Sequence, residues 1–76
     1  MPRAQGKVHR VYVDRGFGFI RCTIGPDGDV GQDFFFHFTG LEDCHVQDLE
    51  EGELVDFEPR QVAKGRRAER ITRVRG

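Results

Sequence analysis

The 76-residue chain contains no tryptophan and no serine, only two cysteines, and no long apolar run. Each shortage removes a class of function. Without serine there is no hydroxyl nucleophile of the serine-hydrolase kind, and neither cysteine is placed by a motif beside a histidine. His37 as a catalytic base would have nothing to activate, so no enzyme is expected. Cys22 and Cys44 form no CxxC pair, which argues against a zinc site and a disulfide framework. With no secretory leader, two reduced thiols in the cytoplasm are expected. His9, His37, His45 and the cysteines lack metal-ligand spacing. "DGDVGQD" has the acidic opening of a calcium loop but puts Gly31 at position 5 and Phe38 at position 12, where oxygen ligands are needed. Neither metal nor cofactor is implied. A membrane helix needs about 18 consecutive apolar residues, and no stretch approaches that, so nothing is expected to span a bilayer.

What remains is 37% apolar and 33% charged with 10 glycines, a turn-rich globular composition too apolar for disorder and unsuited to long helices. One domain over 1–76 is expected, with its core at about 6–74, near the lower size limit for a single hydrophobic core. The net charge of -1 hides a partition. Arg3, Lys7, Arg10, Arg15 and Arg21 face only Asp14 in the first 21 residues, positions 22–59 hold acids and no Lys or Arg, and basic residues return from Arg60 onward. A fold that joins the two ends would have a positive face and a negative one.

Five segments read as strands. "KVHRVYV" (7–13) is β-branched and aromatic with broken alternation, as in a bulged strand, and "FGFIRCTI" (17–24) alternates cleanly. "GPDGDVGQ" (25–32) is a loop, mobile at its tip. "DFFFHF" (33–38) is a third strand, and the acidic stretch after it supports at most a short helical turn before Leu49. "ELVDFEPRQV" suits a fourth strand, ending near an edge where Pro59 breaks the ladder. "RRAERITRV" makes a less tidy fifth. Short strands joined by turns point to an all-β fold, a small five-stranded antiparallel barrel, since closure removes exposed edges.

The aromatic segments carry the functional signal. "RGFGFI" satisfies the first six positions of a basic-Gly-aromatic-Gly-aromatic-aliphatic pattern used by RNA-binding sheets. Strand parity sends Phe34 and Phe36 to the core with Ile20, and turns Phe17, Phe19, Phe35 and His37 outward. Phe38 has core parity but sits at the strand end, and is expected at the rim. Aromatic side chains on a rigid sheet stack on unpaired bases at about 1–3 kcal/mol per base, and duplex bases cannot reach them. Gly16 and Gly18 are expected to leave space around the rings. In RRM modules the partner aromatic strand precedes this motif with a helix between them; here it follows across a loop, which excludes that fold.

The ordered stretches "RGFGFI", "DFFFHF", "LEEGELVDF" and "AKGRRAERI" resemble the "KGFGFI", "DVFVHF", "LxEGQxVxF" and "KGxxAxxV" signatures of the bacterial cold-shock domain, from Gly6 to about Val74. The resemblance implies an OB-type barrel that binds single-stranded RNA or DNA on its second and third strands. By position it makes Phe17, Phe19, Phe35, His37 and Phe38 the stacking residues, with Lys64 near the bound strand. His9 replaces a usual lysine, Arg10 a tryptophan, Val11 a phenylalanine and Tyr12 an asparagine, while Arg15 heads the first motif. Arg10 can still stack through its guanidinium plane. Val46 lies where some members carry an aromatic, and the loop over 21–32 is longer than usual. The chain is expected to act as a monomer, strand exchange being the route to a dimer. A second class stays open: an OB-type adaptor whose acidic middle or long loop binds a protein, favoured by Arg10 and the negative net charge.

Overall fold

The structure, a computed structural model, describes residues 3–25 and 28–74. It contains β1 (Ala4–Tyr12), β2 (Phe17–Ile24), β3 (Asp33–His37), β4 (Leu54–Val62) and β5 (Gly65–Arg73), with single 3-10 turns at Val13–Arg15, Phe38–Gly40 and Val46–Asp48. The strands close into a barrel in the order β1-β2-β3-β5-β4. The expected all-β, five-stranded barrel is therefore what the chain forms. Its seams are antiparallel except one: Phe35 of β3 meets Arg67 of β5 in a short parallel pairing. An odd number of strands cannot close a ring with every neighbour opposed, so one parallel seam is obligatory.

Alternation places the core. Gly18, Ile20 and Cys22 of β2 and Phe34 and Phe36 of β3 point inward and are buried. They meet Ala4, Val8, Leu49, Val55, Phe57, Ala68 and Ile71 in one cluster, in which the Phe34 and Phe57 rings stand 5.1 Å apart. Burying each of these phenylalanines stabilises the fold by about 1.5–3 kcal/mol. Gly18 corrects an expectation. A Cβ there would lie 2.3 Å from the Arg10 carbonyl oxygen and 2.8 Å from the Phe36 ring, so this glycine makes room for the inner ring and the neighbouring strand, not for the outer rings.

Three bulges reset the parity: at the end of β2, Gly6 pairs with Cys22 but Gln5 with Ile24, so Thr23 is extra and Ile24 turns out to solvent. Val8 pairs with Ile20 but Arg10 pairs with Phe19, so β1 spends one extra residue, His9, and everything after it changes face. In β5, Asp56 pairs with Thr72 and Glu58 with Glu69, which leaves an extra residue beside Arg70, whose φ is +50°. Ala68 and Ile71, three apart, are thereby both buried. Pro59 does not end β4, which runs on to Val62. Pairing with β1 has already stopped at Phe57, and Pro59 has only β5 to satisfy. The turn before Leu49 is present at Val46–Asp48. The tip of the β2–β3 loop, expected to be mobile, includes residues 26 and 27, outside the described residues.

Candidate nucleic-acid interface

The register of β1, β2 and β3 assembles an outer lattice of side chains. Phe17 opposes His37, Phe19 opposes Phe35, and Arg21 opposes Asp33, all with outward parity. On the other flank Tyr12 pairs with Phe17, Arg10 with Phe19 and Lys7 with Arg21. The bulge at His9 is what turns Arg10 and Tyr12 to this side. With Arg67 beside Phe35 on β5, the middle row reads guanidinium, ring, ring, guanidinium across four strands.

The rings touch one another. Phe17 and Phe35 centroids are 5.7 Å apart, Phe19 and Phe35 5.9 Å in an edge-on arrangement, and Phe17 and Phe19 6.4 Å at nearly right angles. Tyr12 extends the group at 5.1 Å from Phe17. Such spacings are those of attractive aromatic pairs, so the rings brace each other. Phe17, Phe19, Phe35 and His37 are half-buried, open on the solvent side. Phe38 is 51% exposed, 4.5 Å from the His37 ring, at the rim as its position suggested. It lies over Gly16, where a φ of +72° and a would-be Cβ only 2.9 Å from the Phe38 ring both favour glycine. Nδ1 of His37 meets the Thr39 hydroxyl at 3.1 Å, which fixes the imidazole plane.

The other expected residues are more scattered. Lys64 lines a groove of about 490 Å³ with Phe19, Phe35, Val62, Arg66 and Arg67. His9 sits on its bulge beside Arg21, 3.4 Å from a guanidinium nitrogen, away from the rings. Arg15 is exposed on the turn before β2 and shares a shallow depression with Val11 and Tyr12. Arg66 and Arg67 were not singled out by the sequence. The Arg67 guanidinium carbon lies 5.9 Å from the Phe35 centroid, a cation–π distance. The basic run "KGRR" right after a predicted strand was the available signal.

Charge is arranged around the rings. Lys7, Arg10, Arg15 and Lys64 are exposed and take part in no ion pair among the described residues. The basic ends do not add up to one positive face, because acids in and beside β4 and β5 pair with the arginines there, within each strand and between them. Glu58 is 2.8 Å from Arg60, Glu69 3.2 Å from Arg60 and 3.3 Å from Arg67, and Glu53 3.6 Å from Arg73. At one end of the lattice Arg21 donates to Asp33 at 2.9 Å. That hydrogen bond, with the Coulombic attraction, holds the Asp33 carboxyl below its ordinary pKa and raises that of Arg21. Burial, helped by Asp29, pushes the Cys22 thiol up, and burial, helped by Asp43, does the same to Cys44, so neither is an activated nucleophile. No group of three or more His, Cys, Asp or Glu side chains that could hold a metal occurs among the described residues. Nor is any helix among them long and apolar enough to cross a membrane.

The sequence profile of the 'Cold-shock' DNA-binding domain matches residues 4–74. The chain belongs to the cold-shock domain family. Among curated relatives, this cold-shock domain is 35% identical to the major cold shock protein of Streptococcus pyogenes serotype M6 over 71 residues, 93% of this chain and 97% of that protein. It is 34% identical to the cold shock-like protein CspC of Bacillus cereus, covering 92% of this chain and 98% of the relative. Among solved structures it resembles Drosophila Unr CSD456 with a TM-score of 0.73 and 27% identity, over 96% of this chain and 27% of that one. Membership places the chain among nucleic-acid-binding domains, a class that is not enzymatic.

Proposed function

We propose that this cold-shock domain binds unpaired RNA, and also single-stranded DNA, on the outer face of β2 and β3, and acts in the cytoplasm as an RNA chaperone. The observation that carries the reading is the contiguous group Phe17, Phe19 and Phe35, outward-facing rings within 6.4 Å of one another while Phe34, Phe36 and Phe57 fill the core. An exposed apolar cluster of this kind marks an interaction surface, and a base presents a flat apolar face of matching size. Phe17, Phe19, Phe35, His37 and Phe38 would stack on bases, with Tyr12 and Arg10 extending the surface. Lys7, Arg15 and Lys64 would hold phosphates, and His9 lies at the Arg21 end of the lattice beside Lys7.

A strand of about 4–8 nucleotides fits a single module of this type. Because only unpaired bases can stack, binding shifts a hairpin toward its open form without ATP. The test is a titration of fluorescently labelled oligo-U and oligo-dT at two salt concentrations. Saturable binding should weaken with salt at a slope near -0.7 per phosphate contact. Binding absent or only millimolar for both oligonucleotides would overturn the reading and favour a protein-binding adaptor.

A further inference from the structure

The groove beside the rings contains three cations, Lys64, Arg66 and Arg67, from β5 and the turn leading into it. Arg66 and Arg67 also own the two buried side-chain nitrogens, both Nε, that lack a hydrogen-bond partner among the described residues. Their counter-charges are close but badly aligned. The Asp29 carboxylate stands 3.5 Å from Arg66 Nε and Glu69 stands 3.3 Å from Arg67 Nε. A buried N–H without an acceptor is unfavourable, and few native groups tolerate it. Glu69 is a neighbour on the same strand and is shared with Arg60. Asp29 is different: it comes from the long β2–β3 loop, and its side chain is only 17% exposed. The loop is held by Gly31 N–H to the Cys22 carbonyl at 2.8 Å and by Gln32 N–H to the Asp29 carbonyl at 3.0 Å.

We propose that Arg66 is a phosphodiester-binding residue of this groove and that Asp29 occupies its anion position in the free protein, so that a bound strand displaces the loop carboxylate. The inference rests on the single-strand reading of the ring platform. A strand whose base stacks on Phe35 and continues toward β5 brings its backbone to Lys64 and Arg66, the open side of the groove. A phosphate offers several acceptor oxygens that can meet the guanidinium fork in line, whereas Asp29 reaches it only as a misaligned ion pair. The long loop thus acts as an internal competitor, lowering affinity for a strand that must place a phosphate at this position.

The experiment is a double-mutant cycle read by titration with labelled oligo-U. Asp29→Asn should bind up to about fivefold more tightly than wild type, the range set by a partly exposed ion pair. Arg66→Gln should bind more weakly, with a salt slope shallower by about 0.7. Asp29→Asn should add nothing on the Arg66→Gln background. Equal or weaker binding by Asp29→Asn, or the same gain in both backgrounds, would overturn the proposal. Thermal melts check that each variant folds. In the wild-type protein the Asp29 carboxyl carbon-13 resonance should shift on adding oligo-U, and an unmoved resonance in a saturated complex would also overturn it. Oligo-U binding that depends on Phe35 but ignores Asp29 defeats this inference alone, whereas no binding by wild type or any variant defeats the platform reading with it.

Discussion

Phe35 and Phe36 are adjacent in sequence and opposite in consequence. Phe36 is sealed in the core, while Phe35 touches Phe17, Phe19 and Arg67 on the outside. Phe36→Ala should cost about 3–5 kcal/mol of folding free energy in urea denaturation. Phe35→Ala should instead weaken oligonucleotide binding by about 1–3 kcal/mol with a much smaller loss of stability. If both variants lose stability alike, the assignment of faces is wrong. Gly18 supplies a second test of the same geometry. Its added methyl in Gly18→Ala has nowhere to go between the Arg10 carbonyl and the Phe36 ring, so β1 and β2 must separate. Overpacking of this kind costs about 1–3 kcal/mol, and the accompanying displacement of Phe17 and Phe19 should lower affinity as well.

Bulges decide which residues the elements present. In β1 the extra residue at His9 keeps Val8 inside and still delivers Arg10 opposite Phe19. Deleting His9 would remove the extra residue, make Val8–Ile20 and Arg10–Phe19 consecutive pairs, and leave Val8 inside and Arg10 outside in strict alternation. No charge is buried by that change, so the deletion variant should keep a cooperative unfolding transition by circular dichroism with Arg10 still opposite Phe19. Loss of the transition would contradict the assignment of His9 as the extra residue. The same feature explains what the sequence could and could not disclose. β3, and β2 as far as Cys22, alternate without interruption, so their ring-bearing face was legible from period two alone. In β1 the broken alternation announced a bulge without its position. In β5 nothing announced one, because Arg70 takes a positive φ without the Gly or Asn that would have signalled it. Closure into a barrel was expected from the edge argument, but the seam that makes it was not: β3 and β5 are far apart in sequence and meet through one parallel pairing where an antiparallel barrel was expected. Arg66 and Arg67 became visible as neighbours of Phe35 only through that seam.

At the scale of the molecule, a net charge of -1 coexists with a positively rimmed platform, because Glu53, Glu58 and Glu69 pair with arginines of β4 and β5 while Lys7, Arg10, Arg15 and Lys64 take part in no ion pair among the described residues. The Arg21–Asp33 pair closes one end of that platform and ties stability to pH. Its folded carboxyl titrates below the ordinary value of about 3.9, so its stabilisation is complete above that pH and lost as the pH falls through the depressed value. The stability difference between wild type and Asp33→Asn, followed by urea denaturation, should be small, constant above about pH 5, and absent in strong acid. A difference that grows on acidification would contradict the pair's assigned role. The platform as a whole makes the last prediction. Stacking on both β2 and β3 requires consecutive bases free of pairing, so the protein adds RT ln(1 + [protein]/Kd) to the open form of a hairpin and nothing to the closed one. At a hundredfold excess over Kd this is about 2.7 kcal/mol, enough to lower the melting temperature of a marginal hairpin visibly, whereas a long blunt duplex of the same composition should melt unchanged. Phe35→Ala should abolish most of the shift at equal protein concentration. Destabilisation of the duplex and the hairpin alike would mean that the basic rim acts on phosphates alone and that the rings select nothing.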